Sequence, residues 1–311
     1  MTTAVVAVGG NALIRGQQAG TPREQRNNAA HVARCVAHLL EAGWDVVLTH
    51  GNGPHIGHAL RRSELSSQEL PPLPLDCLNA QTQGSIGYLL QQAIDQALAG
   101  SARRRPLATL VSRVRVDPED VAFQNPTKPV GAFLDAAEAA DVQAAGWAVV
   151  ATGAGRWRRV VPSPTPLEIL ELAAIESCLR SGVLPIALGG GGIPVAQRPG
   201  RLEGLPGVID KDRSAALLAV SLEAELLLIC TNVDRVYVGF GTPDATPLDR
   251  VSTAALRAHL AAGEFPAGSM APKIEAALDY VENVSAGQAI ITDLKHASDA
   301  PLGEMGTRIV P

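Results

Sequence analysis

Aromatic residues are scarce in this chain. They make up 3% of 311 residues, which removes the stacking of successive nucleobases as an organising theme. Lysine is scarcer still: of 26 Lys and Arg residues, only Lys128, Lys211, Lys273 and Lys295 are lysines. No long basic run occurs, and Arg103-Arg104-Arg105 and Arg158-Arg159 read as short solvated faces. With a formal charge of −5, nucleic acid is not an expected partner. No apolar segment approaches transmembrane length, and the N-terminus lacks a basic region followed by a long apolar core. The expectation is a cytoplasmic protein with no membrane partner. Cys35, Cys77, Cys178 and Cys230 form no C-x-x-C pair, so neither zinc nor a dithiol is suggested. Three of them fall in apolar helix or strand patterns and Cys77 in an expected loop; all four read as packing residues. His50, His55 and His58 do not complete a metal motif. Missing too are the G-x-S-x-G elbow, the G-x-x-x-x-G-K-[ST] loop, H-R-D and D-F-G, while Gly51, Gly53 and Gly57 miss the dinucleotide fingerprint by one residue.

What is abundant is apolar strand followed by glycine. Hydrophobic residues make up 46% of a chain long enough for one large or two modest α/β domains. Val5 to Val8 runs into Gly9-Gly10-Asn11, Val46 to His50 into Gly51-Asn52-Gly53-Pro54, and Leu184 to Leu188 into Gly189 to Gly192. Short continuous apolar runs predict strands buried on both faces of a parallel sheet. Their glycine turns would gather at the carboxyl edge and offer backbone N–H groups to an anion. Between the first two runs, Thr21-Pro22-Arg23-Glu24 starts a helix with a capping box, and Val32, Cys35, Val36, Leu39 and Leu40 mark its buried face. Pro54 opens the next helix directly after a glycine turn, which adds the helix dipole to that turn.

Further along, the spacing predicts a helix over about 79–98 and a strand over 107–114. Residues from about 115 to 165 are rich in Pro and Gly, with Asn125-Pro126-Thr127-Lys128-Pro129, Gly153-Ala154-Gly155 and Pro162-Ser163-Pro164 around a short helix and a strand at 147–151. This predicts an inserted subdomain on hinges; a lid and a plain surface excursion both fit it. Strand 226–230, helices capped near Ser252 and opened by Pro272-Lys273, a strand at 288–292 and a final edge at 306–310 complete the chain.

Three of the four lysines sit in unusual settings. Lys128 lies between Pro126 and Pro129, Lys211 between Asp210 and Asp212, and Lys273 after Pro272 at a helix start. A lysine is a compact charge with rotatable donors, suited to following a moving phosphoryl group, whereas an arginine fork is planar and bulkier. A cation at a helix N-terminus is unfavourable alone, so Lys273 implies an anion beside it. Asp210 either orients ammonium groups or caps a helix, and the two roles are compatible. Glycine turns with dispersed lysines fit phosphoryl transfer, which depends on positioning and charge neutralisation.

Taken together, these motifs resemble carbamate kinase of the amino-acid kinase fold. The resemblance rests on Gly9 to Leu13, Thr49 to Pro54, Gln83-Gly84 with Ile86-Gly87-Tyr88, Asn125 to Pro129, Gly189 to Pro194, Ile209 to Asp212, Gly268-Ser269-Met270 with Pro272-Lys273, and Gly306 to Ile309. It covers nearly the whole chain. It implies a three-layer αβα sandwich around a mostly parallel sheet, with a protruding subdomain at about 115–165. An acceptor lobe would span 1–205 and a nucleotide lobe 206–311. The implied activity is reversible, Mg2+-dependent phosphoryl transfer between ATP and carbamate, giving ADP and carbamoyl phosphate, in a cytoplasmic homodimer working toward ATP in arginine or other carbamoyl-phosphate breakdown. Carried over by motif, Gly9, Gly10, Asn11, Gly51, Asn52 and Gly53 would hold the acceptor, and Lys128, Asp210, Lys211 and Lys273 would be catalytic. Gly190, Gly191, Asn232, Asp234, Tyr237 and Met270 would hold the nucleotide, with Mg2+ carried mainly by its phosphates. The chain departs from the family pattern at Asn232, at Ala271 (expected to crowd a phosphate-facing turn), at Arg213-Ser214 and at Cys77-Leu78-Asn79. Two alternatives stay open: a kinase of another small carboxylate, and a nucleotide-binding regulator without turnover.

Overall fold

In the computed structural model, residues 2–15, 18–153, 155–266, 268–303 and 305–311 are described, with backbone alone at positions 11 and 302. Ala154 of the expected hinge motif falls outside these residues. Strand β1 (Thr3–Val8) is buried from Ala4 to Val8 without any exposed surface. Its side chains divide between two cores: Ala4, Val6 and Val8 face one, Val5 and Ala7 the other. Helix α1 (Pro22–Glu41) follows, closed by the Thr21–Glu24 capping box, and leads to β2 (Asp45–His50). Next come α2 (Gly53–Leu65), with Pro54 in its first turn, and α3 (Leu75–Ala97). Helix α3 begins earlier than its apolar spacing indicates, and it takes in Cys77, which is therefore an exposed helical residue and not a loop residue.

The strand expected over 107–114 is two strands in different sheets, β3 (Leu107–Thr109) and β4 (Arg113–Arg115). The chain turns at Ser112, whose N–H donates to Gln83 Oε1 at 2.7 Å and whose hydroxyl accepts from the Leu188 N–H at 3.1 Å. These long-range bonds replace the ladder bonds that would have kept the strand straight. A small antiparallel sheet then forms from β5 (Lys128–Leu134), β6 (Ala148–Ala151) and β7 (Trp157–Val161), in the order β5-β7-β6, with α4 (Ala136–Ala144) packed against it.

Beyond this arm lie β8 (Glu168–Ile169), α5 (Leu172–Arg180) and β9 (Leu184–Ile186). Then come β10 (Ile193–Arg198), β11 (Arg201–Gly204), α6 (Lys211–Ser221) and β12 (Leu226–Thr231). The chain ends with β13 (Val236–Val238), β14 (Thr246–Leu248), β15 (Arg250–Ser252), α7 (Thr253–Ala261), α8 (Ala271–Asn283), β16 (Gln288–Asp293) and β17 (Thr307–Val310).

Among the described residues the central sheet has eight strands in the order β15-β17-β16-β12-β1-β2-β9-β3. The six from β16 to β3 are parallel, while β17 pairs antiparallel with β16 and carries β15 with it. The last strand is thus interior and reversed, not the edge that its position in the sequence suggested. Helices α1 and α3 cover one face of the sheet, and α6 and α8 the other. This is a three-layer αβα arrangement, and the chain order puts β2 and β12 on opposite sides of β1. The crevice of such a sheet opens at the carboxyl ends of the strands that flank this reversal.

Candidate active site

Five parallel strands deliver their carboxyl ends to one cleft of about 1190 Å³. Gly9 and Gly10 come from β1, Gly51 to Gly53 from β2, Gly190 from beyond β9, Thr231 and Asn232 from β12, and Asp293 to Lys295 from β16. Close approach of backbone explains the glycines. A Cβ on Gly51 would lie 2.6 Å from the Gly10 nitrogen and 3.1 Å from Cδ of Lys211. A Cβ on Gly190, which also has φ +65°, would lie 2.3 Å from Nδ2 of Asn52. The Gly51 N–H is not turned outward: it donates to the Val8 carbonyl at 2.8 Å and fastens the second turn to the first. The Asn52 amide is likewise engaged, donating to Asn79 Oδ1 and Thr82 Oγ1 at 2.9 Å each, while Asn79 donates to the Gly207 carbonyl at 3.0 Å. Asn79, one of the departures from the family pattern, therefore ties the β2 turn to α3. The side chain of Asn11 lies outside the described residues.

Lys128, Lys211 and Lys273 reach this cleft from three separate segments. Lys128 starts β5 on the arm and pairs with Asp210. Lys211, at the first position of α6, pairs with Asp212, and Lys273 in the first turn of α8 lies 3.2 Å from the other Asp212 oxygen. Asp210 also caps α6, accepting from the Asp212 N–H at 2.8 Å. Burial alone would raise the Asp210 carboxyl, but Lys128 and Lys211 beside it hold it well below the usual carboxylate range. It is a fixed anion. The sequence pointed to Asp210 as organiser of the lysines; the structure divides that work, and Asp212, only 2% exposed, takes Lys211 and Lys273. Three ammonium groups against two carboxylates leave one net positive charge at the mouths of helices α2, α6 and α8, whose N-termini favour anions.

Of the expected nucleotide residues, Gly190 and Asn232 line the cleft, whereas Gly191, Asp234, Tyr237 and Met270 are not among its lining residues. Gly191 is packed against the Ile209 carbonyl, and its own carbonyl accepts from Ser214 Oγ at 2.7 Å. Tyr237 donates to Asp234 at 3.0 Å, and Met270 packs against the core. Ala271 does not crowd the turn: its side chain is 7% exposed within the core under α8. Arg213 reaches Glu275 at 2.9 Å and ties α6 to α8. Sequence reasoning passed over Lys295 and a further set of lining residues, Arg15, His31, Arg34, His38, Phe133 and Arg158. The Arg158-Arg159 pair is no solvated face, since Arg159 is 11% exposed and ion-paired with Glu64 at 2.6 Å. Strand alternation could have shown that the two arginines point opposite ways, but not what each one meets.

Covalent chemistry finds no support among the cleft's thiols. Burial pushes the Cys35 thiol up to about 12 and raises Cys230 as well, so neither is a thiolate near neutral pH. Among the described residues no group of three or more His, Cys, Asp or Glu side chains is placed to hold a metal. The arrangement suits a bound polyanion whose charge moves between lysines.

The model of the amino acid kinase family matches residues 2–293. The chain belongs to the amino acid kinase family. Within it, carbamate kinase 1 of Enterococcus faecium is 42% identical over 94% of this chain and 93% of its own length. The carbamate kinase of Thermococcus kodakarensis is 39% identical over 100% and 99%. The structure of Giardia lamblia carbamate kinase bound to AMP-PNP superposes with a TM-score of 0.91 at 38% identity, covering 99% of this chain and 98% of that one. This amino acid kinase is thus a phosphotransferase of the carbamate kinase type, and the fold expected from its motifs is the fold it has.

Proposed function

We propose that this enzyme transfers a phosphoryl group reversibly between ATP and carbamate, forming ADP and carbamoyl phosphate. The observation that carries the reading is the meeting of Lys128, Lys211 and Lys273, from three segments, at the packed glycine turns of β1 and β2. Carbamate is already an anion, so no general base is required. The work left to the protein is alignment and neutralisation of charge on the transferring group. Gly9, Gly10 and the turn at Gly51 to Gly53 would hold the acceptor, with Asn52 acting through the turn it braces and Asn11 beside it. Residues 206–311 would carry the nucleotide, its phosphates near Lys211 and Lys273, with Gly190, Gly191, Asn232, Asp234, Tyr237 and Met270 around it. Asp210 and Asp212 are occupied by lysines, so Mg2+ would ride chiefly on the nucleotide phosphates and water, as this ion commonly does. When bound, it would neutralise phosphate charge.

Carbamoyl phosphate is a mixed anhydride with a high transfer potential, which favours ATP formation as the working direction. A homodimer would bury exposed Tyr88 and Val111, which lie close to the edge strand β3: a Cβ on neighbouring Gly87 would touch Thr109. No helix among the described residues is long and apolar enough to cross a membrane. The test is ATP formation from ADP and Mg2+ with carbamoyl phosphate or acetyl phosphate as donor. Strong preference for carbamoyl phosphate is expected. Equal use of both would favour a kinase of another carboxylate, and nucleotide binding without turnover would favour a regulator.

A further inference from the structure

Three arginines lie on the arm strand β7 and the turn before it, and they have different surroundings. Arg159 is ion-paired with Glu64 at 2.6 Å, with its guanidinium 4.8 Å from the Trp147 ring centroid. Arg156 is exposed to solvent, 5.4 Å from the ring of Phe133. Arg158 is half-buried and lines the cleft, and its Nε is buried with no hydrogen-bond partner among the described residues. Its guanidinium lies 5.0 Å from the same Phe133 ring, which is directly opposite in the β5–β7 register because a bulge between Val130 and Phe133 resets the pairing. A stacked guanidinium keeps its fork in one plane, and a buried N–H without an acceptor is a donor waiting for one.

The position of the arm says which ligand would supply that acceptor. The arm rests on α2, the helix that begins at the Gly53 turn, and a Cβ on Gly57 would lie 1.9 Å from Cα of Gly131 in β5. Arg158 therefore lines the cleft from the same arm sheet as Lys128, three residues along β7 from Val161, the residue paired with Lys128. Asn232, the Gly268–Lys273 segment and Asp293 to Ser298 belong to the other half of the chain. We propose that Arg158 is the acceptor clamp of this cleft, its planar fork binding the O–C–O end of carbamate or the carbamoyl end of carbamoyl phosphate. This rests on the phosphotransfer reading above. A fork matches two coplanar oxygens, which a single ammonium such as that of Lys128 cannot do.

The test compares Arg158→Gln and Arg158→Lys with Arg156→Gln in the ATP-forming direction. It also follows binding of phosphonoacetamide, an inert analogue of carbamoyl phosphate, through fluorescence of Trp147 and Trp157 on the arm. Arg158→Gln should raise the KM for carbamoyl phosphate roughly tenfold or more, with the KM for ADP within about twofold of wild type. It should weaken phosphonoacetamide binding by a smaller factor, since a methylene replaces the bridging oxygen and leaves the fork the carbonyl oxygen alone. Arg158→Lys, which keeps charge but loses the fork, should fall between, and Arg156→Gln should match wild type. Unchanged carbamoyl phosphate KM and analogue binding in both Arg158 variants would overturn the proposal, as would an equal rise in the two KM values. Should Arg158→Gln not fold, Arg158→Lys decides alone by the same split. Wild-type protein that makes no ATP from carbamoyl phosphate would sink the phosphotransfer reading instead, and the binding measurement separates the two failures.

Discussion

The two halves of the cleft wall are held in very different ways. On the sheet side, the turns after β1 and β2 are packed backbone against backbone and joined by the Gly51 N–H to the Val8 carbonyl. The Asn52 side chain fills the space to the turn after β9, and buried bonds from Asn52 and Gln83 hold these turns. On the arm side, Lys128 and Arg158 are carried by a three-stranded sheet seated on α2 through the Gly57–Gly131 contact, the Arg159–Glu64 pair and the Lys128–Asp210 pair. The contrast teaches that one wall is fixed by backbone approach and buried polar bonds, while the other is seated on α2 and α3 through an apolar cluster of Val130, Val161, Ile56, Leu60, Leu75 and Leu78, with ion pairs at its rim.

That contrast can be broken at several points. The largest loss is expected at the fixed wall, from Asp212→Asn. This change leaves Lys211 and Lys273 without their shared buried anion, and turnover should fall roughly a hundredfold or more with circular dichroism unchanged. Retained turnover would show that Asp212 does not set the lysines. Next, a methyl group at either glycine seat should break a close backbone contact. Gly51→Ala meets the Gly10 backbone and should cost about 1–3 kcal/mol in denaturant melts by overpacking. Gly57→Ala gains about 1 kcal/mol of helix propensity but meets the Gly131 backbone more closely still, so it should also lose stability, and kcat/KM should fall roughly tenfold as the arm is lifted. Wild-type kcat/KM in Gly57→Ala would show that this seat does not align the arm.

Lys128→Arg on the arm should lower turnover several-fold, about threefold or more, because a fork cannot follow the phosphoryl group as a point charge does. Full activity would argue that Lys128 only anchors the arm to Asp210. A further effect is one of pH, read in stability and not in turnover. Burial lowers His50 in the fixed wall to about 4, and His55 at the start of α2 to about 4, where burial is joined by His58 and Arg62. Both are neutral in the folded state at pH 6.5, whereas in the unfolded chain they begin to bind protons there. Stability should therefore be full above about 6.5 and decline as pH falls toward 4, by at most about 1.4 kcal/mol per pH unit for His50. In His50→Gln the slope over this window should flatten, as read from urea melts at each pH.

Much of the fixed wall could be read directly from the residues. Strands buried on both faces are mostly apolar, and turns this close must be glycine, so β1, β2 and β9 announce themselves. Lysines in an arginine-rich chain stand out for a comparable reason. What could not be read depends on partners far along the chain. The break at Ser112 is made by Gln83 and Leu188, and the reversal of β17 by its pairing with β16. Asp212 looks like an ordinary first-turn acid until Lys273 approaches from α8. Arg158 and Arg159 look like a solvated pair until Glu64 takes one and leaves the other facing the cleft.

The central claim is that the lysine set transfers a phosphoryl group from carbamoyl phosphate to ADP. The most direct measurement is the initial rate of ATP formation from ADP, Mg2+ and carbamoyl phosphate by wild type and by folded Lys211→Ala, side by side. The account predicts rapid ATP formation by wild type and a loss of roughly a hundredfold or more in the variant. Near-equal rates in the two proteins would contradict it.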